Sequence, residues 1–121
     1  MHCDRAEIFI DTEMFGKMDP FVVFEYRQTG GIEPFVHKTA VKNSAGKKPV
    51  WNETFDIPVT HLDLKLTVHV WEEDKLSNDD LGVFKITPRA FTKPGQPEAF
   101  DCYIKEKKTA TLYMSAKWVP G

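Results

Sequence analysis

The chain has 121 residues, 41% of them hydrophobic and 28% charged, with a formal net charge of −2. That length suits one domain with its own core, the balance argues against disorder, and the charge excludes a strongly basic nucleic-acid binder. No apolar run approaches the roughly 20 residues that cross a bilayer, and Met1-His2-Cys3-Asp4-Arg5 lacks the apolar segment of a signal peptide. Cys3 and Cys102 make no disulfide framework and fit a reducing compartment, and their spacing does not say whether they meet. The triplet Asn52-Glu53-Thr54 is then a chance match to a glycosylation site. The expectation is a single domain over residues 1–121, placed in the cytoplasm and monomeric.

In chain order, a first strand is expected near residues 1–6. Few residues precede the loop at 11–20, so either the opening pentapeptide supplies that strand or the domain edge is clipped there. Extended runs follow at 21–26, 35–41, 53–57, 64–71, 82–86, 100–104 and 111–118, separated by turns rich in Gly, Pro, Asn and Asp. The run at 64–71 alternates strictly, with Leu64, Leu66, Val68 and Val70 on one face and Lys65, Thr67 and His69 on the other. The last run places Leu112, Met114, Ala116 and Trp118 on one face; Trp118 and Trp51 are both expected in the core. Residues 87–92 suit a short helical turn. About eight short antiparallel strands predict an all-β, eight-stranded β-sandwich.

Two loops carry the candidate chemistry. One, at 11–20, contains Asp11, Glu13 and Asp19; the other, after Trp71, contains Glu72, Glu73, Asp74, Asp79 and Asp80 and closes on Gly82. Bunched carboxylates destabilise a fold unless a cation relieves their repulsion. Calcium takes six to eight oxygens at about 2.3–2.6 Å in flexible geometry, whereas magnesium demands a stricter octahedron. An oxygen-only inventory disfavours zinc. An EF-hand reading of the segment from Asp74 fails because its sixth position is Asp79 rather than Gly. The alternative is that the acids form a solvated loop face, with Asp19 serving only its turn before Pro20.

Gly16-Lys17-Met18-Asp19-Pro20-Phe21-Val22, the segment Lys47-Lys48-Pro49-Val50-Trp51-Asn52-Glu53-Thr54-Phe55, Val70-Trp71-Glu72-Glu73-Asp74 and Asp79-Asp80-Leu81-Gly82 resemble, in order and spacing, the motifs of a C2 domain. The closing segment from Leu112 to Pro120 is similar to the small single-domain members and the type II topology. The resemblance implies a Greek-key sandwich that binds calcium through Glu13, Asp19, Glu72, Asp74 and Asp80, with Asp79 competing for the last position. Carbonyls near Thr12, Met18 and Glu73 would assist. Glu13 and Glu72 stand where the family usually has Asp, which displaces each carboxylate by about one bond and bears on ion number and affinity. Asn52 resembles the family's turn-fixing residue, its amide serving loop backbone.

The resemblance also implies peripheral docking on an anionic, phosphatidylserine-type phospholipid membrane. Met14 and Leu76, with Phe15 as either a third tip residue or core, would enter the headgroup layer, and Lys17 and Lys75 would help from the rim. Without calcium the acidic loops would repel such a membrane, and with it they would attract it. A basic groove known in some relatives is matched poorly: Lys38 and Trp71 fit, but Val23 and Glu25 replace basic residues. Lys42, Lys47 and Lys48 offer a looser basic patch, or only a solvated turn. Enzymatic readings lack their motifs: there is no phosphate loop around Gly46-Lys47-Lys48, no Gly-x-Ser-x-Gly elbow, no cysteine nucleophile signature and no evident cleft for a carboxylate pair. The expectation is a non-enzyme. The competing reading is a calcium-independent C2 fold acting as a protein-protein interaction or adaptor module.

Overall fold

A computed structural model describes residues 1–13, 16–26 and 34–118. It holds eight strands: β1 (His2–Ile8), β2 (Pro20–Tyr26), β3 (Phe35–Lys38), β4 (Val50–Thr54), β5 (Leu66–Glu73), β6 (Asn78–Ile86), β7 (Glu98–Ile104) and β8 (Lys107–Ser115). All pairings are antiparallel, in the order β3-β2-β5-β6-β7-β8-β1-β4. The middle junction is thin, a single β6–β7 pair at Val83 and Tyr103. There the sheet curls, so its two halves face each other across one core. The opening residues do supply the first strand, which runs to Ile8.

Alternation decides what enters that core. Leu66, Val68 and Val70 are buried on one face of β5, and Leu64 is buried just ahead of the strand, which begins two residues later than the alternation, while Lys65 is exposed. Val22 and Phe24 of β2, Ala6 and Ile8 of β1, and Leu112 and Met114 of β8 meet them from both halves. Burial on this scale contributes about 25 cal/mol per Å² of apolar surface removed from water. Trp51 is in this core, its Nε1 donating to the Ala40 carbonyl at 3.0 Å. Trp118 is not: β8 ends at Ser115 and the indole is 56% exposed, so the alternation read through 118 stops three residues earlier. The free thiols of Cys3 and Cys102 are both buried and far apart on β8's register, beside Met114 and Ala110 respectively.

The open side, between edge strands β3 and β4, is closed by side chains. Glu53 accepts the Ala40 amide at 2.7 Å and approaches His37 Nε2 at 3.5 Å, and the His37 ring stacks on Phe55 at 3.8 Å. Asn52 acts through its backbone: it is exposed with φ of 51° and bends β4, the conformation that Asn tolerates best after Gly. No hydrogen bond of its amide is found among the described residues, contrary to the turn-fixing role expected of that side chain. The helical turn is a single 3₁₀ turn at Pro88–Ala90.

Candidate metal and membrane site

Strand direction brings four connections to one end of the sandwich: residues 9–19, 39–49, 74–77 and 105–106. Asp19 ties three of the connected elements together. Its Oδ1 accepts the Ser44 amide at 2.6 Å, and its carbonyl accepts the Glu73 amide at 3.0 Å. The Met18 carbonyl accepts the Gly46 amide at 3.1 Å, and Met18 itself is buried. Asp11 turns back on its own loop, its Oδ1 accepting the Glu13 amide at 3.0 Å. The first loop is thereby anchored beneath its tip. Met14 and Phe15 lie outside the described residues.

The second acidic segment is a hairpin rather than an open loop. Glu72 and Glu73 belong to β5, Asp79 and Asp80 belong to β6, and only residues 74–77 connect them. The expectation that all five acids sit in a loop is therefore corrected: pairing with β6 carries β5 two residues past Trp71. In that register Glu72 faces Asp79 and Trp71 faces Asp80. A bulge separates these pairs from Val70–Gly82, so β6 contributes one extra residue, Leu81. Because side chains alternate, Asp79 shares the inward face with Glu72, and Asp80 shares the outward face with Trp71 and His69.

Glu72 has no exposed surface. Its Oε2 accepts a hydrogen bond from the Thr12 hydroxyl, while its Oε1 is buried with no hydrogen-bond partner among the described residues. Burial first, then the Glu13 carboxyl beside it and, least, the charge of Asp79, push its pKa up to about 7 against the opposing hydrogen bond from the Thr12 hydroxyl. Near neutrality this carboxyl is therefore poised between its two states. Asp80 is held elsewhere: its Oδ1 lies 2.8 Å from His69 Nε2 and accepts the Gly82 amide at 2.9 Å. His69 in turn stacks on Trp71 at 3.8 Å. Asp74 is exposed and its Oδ1 accepts the Lys75 amide at 2.6 Å.

The structure thus brings Glu13, Glu72 and Asp79 together, hangs Asp74 at the rim, uses one oxygen of Asp19 for a loop amide, and turns Asp80 away. Among the described residues no three of these side chains are already set as a finished metal cage. The donor chemistry nonetheless fits a hard cation, since every group is an oxygen and one buried oxygen lacks a partner among the described residues. Thr12 enters through its hydroxyl, which reaches Glu72, rather than through the carbonyl that the family resemblance implies. The alternation shows His69 only as an outward strand residue; the Asp two residues before Gly82 is the signal of its pairing.

Leu76, at the hairpin tip, is 98% exposed, with Lys75 exposed beside it and Lys17 exposed on the first loop. Lys38 does not stand free in a groove: its ammonium lies 4.4 Å from the centre of the Phe21 ring, beside Val23 in register. Lys42, Lys47 and Lys48 lie in the 39–49 connection, whose backbone is pinned by Lys42 N to the Pro20 carbonyl at 3.0 Å and by the Lys47 carbonyl to Ile8 N at 2.8 Å.

Comparison with known proteins agrees with this architecture. The family described as C2 domain matches residues 3–103. Synaptotagmin-5 of Arabidopsis thaliana is 34% identical over 110 residues, 88% of this chain and 18% of that protein. Elicitor-responsive protein 3 of Oryza sativa subsp. japonica is 29% identical over 81% of this chain and 65% of its own length. Among solved structures, a C2 domain of plant Extended Synaptotagmin 1 superposes with a TM-score of 0.74 at 21% identity, covering 93% of this chain and 86% of that one. The calcium-bound pair of C2 domains of Extended-Synaptotagmin 2 superposes at 0.70 with 20% identity, covering 93% and 41%. The chain spans under a fifth of the length of the Arabidopsis synaptotagmins it matches.

Proposed function

This chain belongs to the C2 domain family, and on that footing we propose that it binds calcium through Glu13, Glu72 and Asp79, with Asp74 and the free oxygen of Asp19 completing the shell, and thereby docks on anionic phospholipid membranes. The observation that carries this reading is Glu72, a buried carboxyl set beside the Glu13 carboxyl and the charge of Asp79, whose Oε1 has no hydrogen-bond partner among the described residues. An unpartnered buried acceptor costs about 1–3 kcal/mol, and more if ionised, so a cation there recovers energy the metal-free fold gives up. Calcium supplies positive charge between the loops and the lipid headgroups; the chain supplies the oxygens and the apolar tip at Leu76. The protein acts as a peripheral, cytoplasmic, non-catalytic monomer.

Co-sedimentation with phosphatidylserine vesicles, in calcium and in chelator, tests it. Pelleting that rises sharply with calcium supports the reading. Equal pelleting in both conditions overturns it. The calcium-independent adaptor reading has its own support: Asp80 is paired with His69, and among the described residues no closed set of ligands stands ready. That reading predicts a melting temperature unmoved by millimolar calcium.

A further inference from the structure

The same end of the sandwich carries a feature that the acidic loops do not explain. Phe9 follows β1 and is 49% exposed, and Tyr103, near the end of β7, is 40% exposed. Lys108 links them, being Tyr103's partner in register and holding its ammonium 5.6 Å from the centre of the Phe9 ring. Lys105 and Lys107 flank it on the hairpin between β7 and β8, both exposed. The Phe9 amide donates to the Thr109 carbonyl at 2.8 Å, so the aromatic is fixed to the hairpin. Lys108 also meets Asp101 at 3.2 Å, but neither Lys105 nor Lys107 joins an ion pair among the described residues.

We propose that Phe9, Tyr103 and the lysines of the β7–β8 hairpin form a second, metal-independent contact with an anionic phospholipid bilayer. Aromatic rings beside lysines suit the bilayer interface, where the ring sits at headgroup level and the ammonium meets phosphate. The hairpin closes at the same end as Leu76, so both contacts can engage one flat surface together. Charge complementarity selects the occupant: an apolar protein groove would leave Lys105 and Lys107 without partners, whereas an anionic leaflet satisfies them. The inference rests on the membrane reading above but not on the calcium ion.

The test uses the whole chain and phosphatidylserine/phosphatidylcholine vesicles in chelator at low ionic strength, with pure phosphatidylcholine as control. Wild type should pellet with the anionic vesicles only. Lys105→Ala/Lys107→Ala should lower its partitioning about fivefold for each lysine removed, while Lys65→Ala/Lys85→Ala, at the other end of the molecule, should leave it unchanged. Phe9→Cys carrying a polarity-sensitive dye gives a second readout. Cys3 and Cys102 stay unlabelled because both are wholly buried, and burial pushes the Cys102 thiol up to about 12 and Cys3 higher still. The dye emission should shift to the blue with anionic vesicles in chelator. Absence of wild-type binding, equal loss in both lysine pairs, or an unshifted dye overturns the proposal. If these results hold while calcium adds nothing, the metal reading falls and this contact stands.

Discussion

At the scale of single residues, the fate of the site turns on Glu72. Its folded pKa of about 7 lies above the ordinary value of 4.5, so the folded state holds a proton that the unfolded chain has lost. Stability from this group is fully present below about pH 4.5 and declines as pH rises through 7. Denaturant midpoints of the metal-free protein across that range should show the decline, and Glu72→Gln should flatten it and remove any calcium response. Saturating calcium should also flatten it for wild type, because the ion takes the ionised form. The neighbouring pair Asp79 and Asp80 was legible as two acids before Gly82 but not as a choice between them. The choice depends on the bulge at Leu81, which shifts the register by one and exchanges the faces of the two side chains. Nothing local in the sequence announces that extra residue. Asp79→Asn should therefore abolish the calcium-induced rise in melting temperature, while Asp80→Asn should keep it and lose only the contact with His69. The reverse result would place Asp80 inward.

At the scale of elements, the bulge depends on Gly82. Its φ is 134°, and a Cβ built there would lie 2.5 Å from Thr109 Oγ1 and 2.7 Å from Cys102 Cβ. Gly82→Ala should cost about 3 kcal/mol or more, read as a lowered denaturant midpoint, and should disturb Asp79 along with it. The strands themselves were legible wherever apolar and polar residues alternate, as in β5, because alternation is what a two-layer fold needs. Their ends were not. β6 begins at Asn78, where a run of polar residues reads as loop, and β8 stops at Ser115, although the pattern continues to Trp118. Pairing with a neighbour decides both ends, and pairing is a long-range property. The hairpin tip follows the same logic: Leu76 touches almost nothing, so Leu76→Ser should leave stability and calcium binding in solution unchanged while weakening calcium-dependent vesicle binding several-fold. Equal losses in both assays would make Leu76 part of the metal site.

At the scale of the whole molecule, the formal charge of −2 conceals an end rich in both signs. Lys17, Lys42, Lys47, Lys48, Lys75, Lys105, Lys107 and Lys108 lie in or beside the four connections, and so do Asp11, Glu13, Asp19, Glu73, Asp74, Asp79, Asp80 and Glu106. Glu72 adds at most one further negative charge. The acidic motifs alone suggest a surface that repels lipid until calcium arrives; the lysines from the second connection and from the β7–β8 hairpin bring it close to neutral beforehand. Only the fold shows this, since those lysines are far apart in sequence. On the two proposals above, calcium would add to a weak attraction carried by these lysines rather than reverse a strong repulsion. The two contributions should separate by ionic strength, because exposed lysines are screened over about 8 Å at physiological salt whereas an ion seated against buried Glu72 is screened much less. Vesicle binding in chelator should fade as salt is raised from low to physiological levels. The calcium-dependent increment should persist over the same range, together with a rise in melting temperature of about 10 °C at a hundredfold excess of calcium over its dissociation constant. A calcium increment that disappears with salt as fast as the background would assign the ion to the exposed rim at Asp74 and leave Glu72 out of the shell.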